Sequence, residues 1–466
     1  MRIPENFAPS VRHVAAALSL SVIWVASVQA QPAPRPWLER ARDVAFWLGQ
    51  QSLEDGVIPA DTLSPESVRQ DLASGTAGHV LLFAALYELT GDFEQLSLLR
   101  TQMDLLARNL PDELDLDAFP PPSSFYYGIA GVSFALHRGS RLTGDENHRD
   151  AADRALRLLI DGARPDERGL RRWSTRYDEL LFGNSGTALF LLYAASEMGS
   201  TDALELSIEH GKRLLASAQA RGSGLTWSMR SDQPELELPN FSHGAAGIGY
   251  YLATLSLLAD DPRFLAAAKG AANHLEHLAV RDFGGVLFPY GFPRPEWVGR
   301  YDIGWAHGVA GSARLFQRLH QISGEPRWAD LLQECTAAVL RSNAPRQPAP
   351  GFGDAPFPLD RRLGLAGVAD FLVARYRQTL EPAFLQKAEE IAEHIYLQAK
   401  RDQPGLYWET PRPDSVDRPG EAARYSGWLT GAAGYALLFI ELDAAKRSAV
   451  SPIAVPDDPT RFIPTP

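Results

Sequence analysis

Two histidines share one sequence context and are the side chains best suited to proton transfer. His243 lies in Phe241-Ser-His-Gly-Ala-Ala-Gly247, and His307 lies in Gly304-Trp-Ala-His-Gly-Val-Ala-Gly311. An imidazole gives or takes a proton near neutral pH because its ordinary pKa is about 6.5. Each histidine alone also fits a helix-capping or core role. Their equal positions in adjacent copies of one motif favour a common catalytic site.

Two charged residues precede further copies of this motif. Asp178 lies five residues before the first glycine in Asp178-Glu-Leu-Leu-Phe-Gly-Asn-Ser-Gly186 and is a candidate third catalytic residue. Arg362 lies in Arg361-Arg-Leu-Gly-Leu-Ala-Gly367. Its guanidinium carries a fixed positive charge that can pair with Asp178 or bind a substrate carboxylate. A solvated loop arginine is the alternative interpretation.

Aromatic residues in and before these motifs are predicted to line a substrate groove. The loops at 284–297 and 405–414 carry aromatic, proline and charged residues, and surface loops often carry binding residues. We expect these loops to form short β-ribbons over the end of the molecule at which the histidine motifs lie. The predicted substrate-binding aromatic residues are Tyr126, Trp305 and Trp428, with Tyr290, Trp297, Tyr407 and Trp408 as further candidates.

The histidine motif is one of seven Gly-x-x-Gly boxes, each of which opens an apolar helical run. Successive boxes begin 53 to 67 residues apart. Helices with a single apolar stripe alternate with these runs, and the first of them begins after Pro36. The boxes begin at Gly75, Gly128, Gly183, Gly244, Gly308, Gly364 and Gly431.

This repeat predicts an all-α fold, an α/α toroid (barrel) of seven helical hairpins over residues 31–448. The helices after the boxes are apolar nearly all round, so they form an inner ring, and the amphipathic helices form an outer ring that faces water. Small box residues let neighbouring inner helices approach closely. Because each box lies at the N-terminus of an inner helix, all boxes meet at one end of the barrel. The helix N-termini at that end favour a carboxylate, an oxyanion or a polar peptide.

The two ends of the chain differ from the repeat. Residues 1–30 combine Arg2 and Arg12 with an apolar run and a cleavage-like Val28-Gln-Ala30, which is the pattern of a secretory signal peptide. The apolar run is too short for a typical membrane span. We therefore expect a periplasmic or secreted protein without membrane contact after signal removal. Residues 449–466 are rich in proline and are predicted to be a flexible tail.

Composition excludes several classes of function. The formal net charge is −12 and no basic cluster stands out, which argues against nucleic acid as a partner. Cys335 is the single cysteine, so neither an internal disulfide nor a multi-cysteine zinc site can form. It shares a helical face with Trp328 and Leu332, and we expect a small buried hydrophobe rather than a catalytic thiol. A monomer is expected.

Taken in order, the boxes resemble those of the lanthionine synthetase C-like family over essentially the whole chain after residue 30. The third, fourth and fifth boxes are similar to the family's ELLYGRAG, AHGLAGI and WCHGAPG sequences, and the sixth lies where the family has LCHGSAG. The corresponding stretches of this chain are 178–186, 240–252, 303–311 and 361–367. The resemblance implies the α/α barrel and a peptide or thiol substrate.

The resemblance also implies roles for single residues. His243 matches the histidine that the family is thought to use for proton transfer, and His307 matches a candidate acid. Asp178 is the candidate acidic residue, although bacterial members of the family place theirs one position nearer to the glycine.

In that family a zinc ion is held by the cysteine of the fifth box and the Cys-His pair of the sixth. The metal lowers the pKa of a substrate cysteine, which then adds to a dehydroalanine or dehydrobutyrine. Here the three positions hold Ala306, Arg362 and Leu363. Cys335 lies on a predicted outer helix and cannot replace them. We therefore expect the family's barrel without its zinc, and no other cofactor.

Three functions fit these observations. The first is a metal-independent relative that binds or modifies a peptide or thiol at the open end of the barrel. The second is a non-catalytic peptide-binding protein. The third is a carbohydrate-active α/α barrel, an epimerase or a glycoside hydrolase, with Asp178, Asp302 and Glu409 as candidate carboxylates. The order of the box motifs favours the first two over the third.

Overall fold

The computed structural model describes residues 34–64, 68–281, 284–349, 352, 355–402, 405–411, 422–460 and 462. The chain from Pro36 onwards forms one compact unit. The predicted signal peptide, residues 1–30, lies outside the described residues. Among the helices that are described, none has the length and apolar character needed to cross a membrane.

Seven helices form an inner ring, as the box repeat predicts. Each begins one residue after the first glycine of its box, and its side chains are buried nearly all round. Neighbouring inner helices pack in chain order and the last packs against the first, so the ring is closed. They are α2 (Thr76–Thr90), α4 (Ile129–Thr143), α6 (Asn184–Glu197), α8 (Ala245–Leu255), α10 (Val309–Ser323), α12 (Leu365–Thr379) and α14 (Ala432–Lys446).

Seven amphipathic helices surround this ring. Six of them pack against the inner helix that precedes them, and α1 packs against α14, so the two ends of the chain make the seventh hairpin. They are α1 (Pro36–Gln50), α3 (Phe93–Arg108), α5 (Glu146–Gly162), α7 (Thr201–Ser217), α9 (Pro262–Leu278), α11 (Pro326–Arg341) and α13 (Pro382–Leu397). The predicted α/α toroid is confirmed.

Short polar turns separate inner from outer helices. Helices α2, α4 and α10 end at glycines with positive φ, a conformation that costs a residue without Cβ little. The side chains of Asp92, Asp145 and Asp261 then accept hydrogen bonds from the first backbone N–H groups of the next outer helix. Both signals are local, and the sequence therefore predicts these boundaries to within a few residues.

The loops before the boxes are joined by backbone hydrogen bonds at one end of the barrel, which we call the mouth. At six joints, the residue two positions before the first box glycine donates its N–H to the carbonyl of the equivalent residue in an adjacent box. At the remaining joint, Ser124 Oγ donates to Leu181 O at 2.9 Å. The six pairs are Ala73–Tyr126, Leu181–Ser242, Ser242–Ala306, Ala306–Arg362, Arg362–Leu429 and Leu429–Ala73.

Gly247 shows why the second box position needs a glycine. A Cβ on this residue would lie 2.0 Å from Phe241 O and 3.0 Å from Leu180 Cβ. The first atom belongs to its own box and the second to the adjacent box. The second box glycine therefore permits the close approach between neighbouring inner helices that the sequence predicts.

The strands are short antiparallel ribbons outside the ring. The described part of the loop at 405–414 contributes to two of them, as predicted, whereas the loop at 284–297 has isolated bridges, such as Pro289 with Tyr301, and a 3₁₀ turn. The pairs are β1 (Arg164–Pro165) with β2 (Arg171–Arg172), β3 (Gln219–Arg221) with β4 (Gly224–Thr226), β5 (Lys400–Asp402) with β6 (Gly405–Tyr407), and β7 (Thr410–Pro411) with β8 (Ala422–Ala423).

The C-terminal segment, residues 449–460 and 462, packs inside the barrel from Ser451 onwards, whereas Val450 is exposed, so the prediction of a flexible tail is wrong for residues 451–460 and 462. It begins near the end opposite the mouth, where Arg377 Nη1 donates to Ala449 O at 2.8 Å. Farther along the segment, Arg318 Nη2 donates to Phe462 O at 2.6 Å. Buried arginines of the inner helices need acceptors, and the carbonyl groups of the segment supply them.

Asp457 is the residue through which the C-terminal segment contacts the box of His307, near the mouth. Its carboxylate accepts a hydrogen bond from Trp305 Nε1 at 3.0 Å and forms an ion pair with Arg314 at 3.4 Å. All three side chains are at least nine-tenths buried. The segment therefore fills the barrel interior behind the box that carries His307.

Candidate functional site

His243 and His307 lie side by side at the mouth. Each is the residue before the first glycine of its box, and their ring centroids are 5.3 Å apart. The side chain of His243 is 9% exposed, and His307 is half-buried. The hydrogen bond between Ser242 and Ala306 fixes the residue before each histidine. The structure thus brings together the pair that the sequence singles out.

A buried carboxylate orients His243. Glu179 Oε2 lies 3.2 Å from His243 Nδ1, and the glutamate side chain is completely buried. Its two oxygens also accept the backbone N–H groups of Leu181 at 2.6 Å and Phe182 at 2.8 Å, so the carboxylate has a fixed position. A carboxylate accepts hydrogen bonds, and Nδ1 therefore carries the proton that it shares with Glu179. The Nε2 atom of neutral His243 is then left with a free lone pair at the mouth.

Asn240 sets the tautomer of His307. Asn240 Oδ1 accepts from Ser242 Oγ at 3.1 Å and from the backbone N–H of His243 at 3.0 Å. Its Nδ2 amide therefore donates, and His307 Nδ1 accepts at 3.0 Å. The proton of the neutral ring lies on Nε2, which is 3.4 Å from Tyr290 Oη.

Burial holds His307 in its neutral form. It lowers the pKa of His307 to about 2, together with the charges of Arg300 and Arg362 and with that of His243 whenever this ring is protonated. At neutral pH this imidazole has no spare proton to release as an acid. The structure therefore changes the predicted role of His307 from a proton donor to a fixed hydrogen-bond donor through Nε2.

Arg362 lies close enough to influence the histidine pair. Its Nη1 is 3.4 Å from Tyr127 Oη, and its charge contributes to the low pKa of His307. Within the part of the chain that is described, no carboxylate lies within ion-pair distance of its guanidinium. The predicted pairing with Asp178 does not form, so two interpretations remain, binding of a substrate carboxylate and a solvated loop arginine.

Half-buried aromatic rings flank the two histidines. Phe182 stacks on His243 with ring centroids 5.6 Å apart, and Tyr290 packs against His307 at 4.6 Å. Tyr127 continues this row beyond Phe182, at 5.1 Å. The row gives the mouth a flat, partly apolar surface next to ionisable groups, which suits a peptide side chain or backbone.

Asp178 does not join the site. Its carboxylate forms an ion pair with Arg213 on outer helix α7 at 3.1 Å and accepts a hydrogen bond from Asn184 at 2.7 Å. Arg213 also pairs with Asp166 at 2.7 Å. Asp178 therefore joins the third box to an outer helix, and the acidic neighbour of His243 is Glu179.

The three predicted groove residues Tyr126, Trp305 and Trp428 belong to the core. Each is at least 97% buried, and Tyr126 packs against Trp305 at 5.2 Å and Trp428 at 6.3 Å between ring centroids. They fill the barrel below the mouth because the small box residues leave room for large side chains between inner helices. The prediction that they bind substrate does not fit this position.

The positions that hold zinc in the resembling family contain no donor set for a metal. Ala306 is fully buried and has no ligand atom, Arg362 is a cation, and Leu363 is apolar. Over the described ranges, no cluster of three or more histidine, cysteine, aspartate or glutamate side chains could hold a metal ion. Cys335 is buried on α11, where burial raises the pKa of its thiol.

Glu179, Asn240 and Tyr290 have clearer places in the site than in the sequence. The signal for Glu179 was available, because it occupies the position nearer to the box glycine at which bacterial members of the resembling family carry an acidic residue. The roles of Asn240 and Tyr290 depend on contacts with the fifth box, 67 and 17 residues away from His307. Spacing along the chain gives no sign of these two contacts, although Tyr290 is among the aromatic residues that the sequence offers for the groove.

Comparison with known proteins agrees with the box motifs. The family model described as lanthionine synthetase C-like protein matches residues 66–455. Among solved structures, nisin cyclase is similar, with 15% sequence identity and a TM-score of 0.58 over 84% of this chain and 92% of that chain. At this identity the likeness shows the fold. None of the curated proteins searched matches the sequence.

Two sugar-degrading enzymes show a weaker likeness. The α-1,6-mannanase from Salegentibacter sp. HEL1_6 is 17% identical, with a TM-score of 0.40 over 65% of this chain and 86% of that chain. The unsaturated glucuronyl hydrolase from Bacillus sp. GL1 is 15% identical, with a TM-score of 0.44 over 68% and 88%. Neither likeness supports a sugar substrate for this chain.

Proposed function

The chain belongs to the lanthionine synthetase C-like family, and from this membership we propose that it modifies a peptide by metal-independent proton transfer through His243. The observation that carries the proposal is the contact between His243 Nδ1 and buried Glu179, at 3.2 Å. A carboxylate that fixes one imidazole nitrogen leaves the other as a base with a defined direction, and it stabilises the imidazolium that forms.

The reaction proposed is the addition of a thiol to a dehydroalanine residue. His243 Nε2 takes the thiol proton, the thiolate sulfur forms a bond to the alkene Cβ, and the π electrons move through Cα onto the carbonyl oxygen. His307 donates a hydrogen bond from Nε2 to this enolate oxygen, as a neutral imidazole can. The imidazolium of His243 then returns the proton to Cα, so the step is balanced without a metal or an external acid.

Arg362 is proposed to hold an anionic group of the substrate. Its side chain lies beside the histidine pair and has no carboxylate partner among the described residues. A guanidinium binds a carboxylate through two parallel hydrogen bonds, which fixes orientation as well as position. The substrate is thus expected to be a peptide that carries a carboxylate, and it meets the protein outside the cytoplasm if residues 1–30 direct export.

One observation favours a second candidate function. All three zinc-ligand positions of the family hold residues that cannot bind zinc, two apolar side chains and a cation, although the barrel is retained. A protein that only binds a peptide at the mouth would show this pattern as well. The two functions differ in turnover, and the following experiment separates them.

The test is the conversion of a dehydroalanine-containing peptide with a thiol by protein treated with a chelator. We expect conversion above the uncatalysed rate, and we expect His243→Ala to remove about 10²-fold or more of the enhancement. His277→Ala, which changes an exposed histidine on α9, serves as the matched control and retains the rate. Equal rates with and without wild-type protein, combined with measurable peptide binding, would establish the binding protein instead.

A further inference from the structure

A cavity of about 720 Å³ opens beside the mouth, and we call it the side cavity. It lies between the loop from α11 to α12, the C-terminal end of α13, residues 408–410, which lead from β6 into β7, and the start of α14. A volume of this size is typical of pockets for small organic ligands or short peptide segments. Arg362 lines the side cavity and also approaches Tyr127 at the mouth, so the two sites share one guanidinium.

One part of the side cavity is aromatic. Trp408 and Tyr435 pack at 4.4 Å between ring centroids, and Trp408 Nε1 donates to Ile395 O at 2.8 Å, which fixes the indole. Phe357 and Tyr425 line the cavity as well. Rings held in fixed positions give a flat side chain a large contact area without a further loss of conformational entropy in the protein.

Two charged residues that line the side cavity, Arg346 and Glu409, already have ion-pair partners. Arg346 pairs with Glu390 at 3.2 Å, and Glu409 pairs with Arg424 at 3.3 Å and with Lys400. Arg362 and Asp360 also line the side cavity, and none of the carboxylates in the described ranges comes within ion-pair distance of the Arg362 guanidinium. A bound ligand therefore gains the most binding free energy at Arg362, provided that it carries an anionic group.

Asp360 is the carboxylate of the cavity lining that would compete with a ligand for the charge of Arg362. Its Oδ1 accepts the backbone N–H of Leu363 at 2.7 Å, and the side chain is directed by that bond. Burial raises the pKa of Asp360, although the charge of Arg362 opposes this. The carboxylate of a ligand that reaches Arg362 directly is therefore the better partner for the guanidinium.

We propose that the side cavity binds the C-terminal residue of a peptide, with its terminal carboxylate on Arg362 and an aromatic side chain packed against the joined rings of Trp408 and Tyr435. This inference rests on the proposed function, and it adds the substrate class: a peptide that ends in an aromatic residue. The reacting part of the peptide then extends from Arg362 towards His243.

The experiment is calorimetric titration with N-acetyl-glycyl-phenylalanine and its C-terminal amide. We expect the free acid to bind at least about tenfold more tightly than the amide, because a charge-assisted pair is lost in the amide. N-acetyl-glycyl-alanine is expected to bind about tenfold more weakly than the phenylalanine acid, because it leaves the aromatic rings uncovered. These ligand series require no change to the protein.

Two arginine variants assign the effect to one residue. Arg362→Gln is expected to abolish the preference for the acid, and Arg362→Lys to retain part of it. Arg346 lines the same cavity, but its charge is already paired with Glu390. In Arg346→Gln the preference for the acid over the amide should therefore persist. Loss of the preference in Arg346→Gln alone would overturn the assignment.

Further outcomes are equally decisive. Equal binding of acid and amide, or no binding of the phenylalanine acid at millimolar concentration, would overturn the proposal. Glucuronic acid is the sugar control, and Arg362-dependent binding of this acid in place of the peptide would identify a sugar site instead. The titration is repeated with His243→Ala, whose affinity should be unchanged. The experiments thus distinguish a protein that does not convert the peptide from one whose side cavity does not bind the peptide C-terminus.

Discussion

Two acidic residues that are neighbours in the chain have opposite surroundings, and this decides which residues form the site. Glu179 is completely buried beside His243, whereas Asp178 pairs with Arg213 on an outer helix. The imidazole of His243 therefore has one partner that fixes Nδ1 and a free Nε2. His307 is fixed as well, by Asn240 and by burial, but in a form that cannot release a proton at neutral pH.

The pair Glu179 and Asp178 allows a matched test. Glu179→Gln should lower the rate of peptide conversion by about 10²-fold, because the amide can present its N–H to His243 and select the wrong tautomer. Asp178→Asn should retain the rate and lower the free energy of unfolding by about 1–3 kcal/mol, because it weakens a partly buried contact with Arg213. Rates and chemical denaturation of the two variants check this. The reverse pattern would assign catalysis to Asp178.

Residue types and spacing predicted part of this site. They identified the two histidines and Arg362, because each occupies a defined position in a box. They did not predict the burial of Tyr126, Trp305 and Trp428, since an aromatic residue before a box looks the same whether its side chain points to the mouth or to the core. They also did not predict the tautomer of His307, which depends on an amide 67 residues away.

At the level of the element, the Gly-x-x-Gly box serves packing first. Its glycines let a loop and the start of an inner helix pass close to their own backbone and to the adjacent box. The hydrogen bonds between box loops then hold neighbouring boxes in register. Because His243 and His307 follow residues in this ring, the packing element also positions the chemistry.

Gly247→Ala tests the packing role of the box. The added Cβ would lie 2.0 Å from Phe241 O, and relieving this clash requires movement of the loop that carries His243. We expect a loss of more than about 3 kcal/mol in the free energy of unfolding. Gly199→Ala is the control, since its Cβ meets open space and its φ of +72° costs only about 1–2 kcal/mol. Equal losses, measured by chemical denaturation, would refute the steric explanation.

The helices themselves were predictable because their signals are local. Apolar runs after each box, glycines at inner helix ends and aspartates at outer helix starts mark the boundaries in the sequence. The ribbon of β5 and β6 was predictable from the composition of its loop. The ring of hydrogen bonds between boxes was not, because each bond joins residues that are more than 50 positions apart.

At the level of the whole molecule, the two ends of the chain complete the barrel. Helix α1 forms a hairpin with α14, and the C-terminal segment fills the interior from the end opposite the mouth. Its proline content indicated flexibility, but buried Arg318 of α10 and half-buried Arg377 of α12 bind its carbonyl groups. A sequence pattern cannot show this, because the acceptors are backbone atoms.

Asp457→Ala tests the contribution of the C-terminal segment. It leaves buried Arg314 without its carboxylate and Trp305 Nε1 without an acceptor. Breaking such a buried pair from one side typically costs about 3–5 kcal/mol, and we expect a loss of that order in the free energy of unfolding. Asp232→Ala removes an exposed carboxylate beside Arg230 and should leave the unfolding midpoint unchanged within error. Equal midpoints for both variants would show that the segment contributes no stability through Asp457.

The central claim is that a residue of this chain returns a proton to Cα without a metal. The direct measurement is the configuration at Cα when a dehydroalanine peptide and a thiol react in D₂O with chelator-treated protein. A positioned donor delivers deuterium to one face, so we predict one stereoisomer with the wild-type protein and a mixture of both with His243→Ala. Both isomers in equal amounts with the wild-type protein, or a single isomer that appears only after zinc is added, would contradict the account.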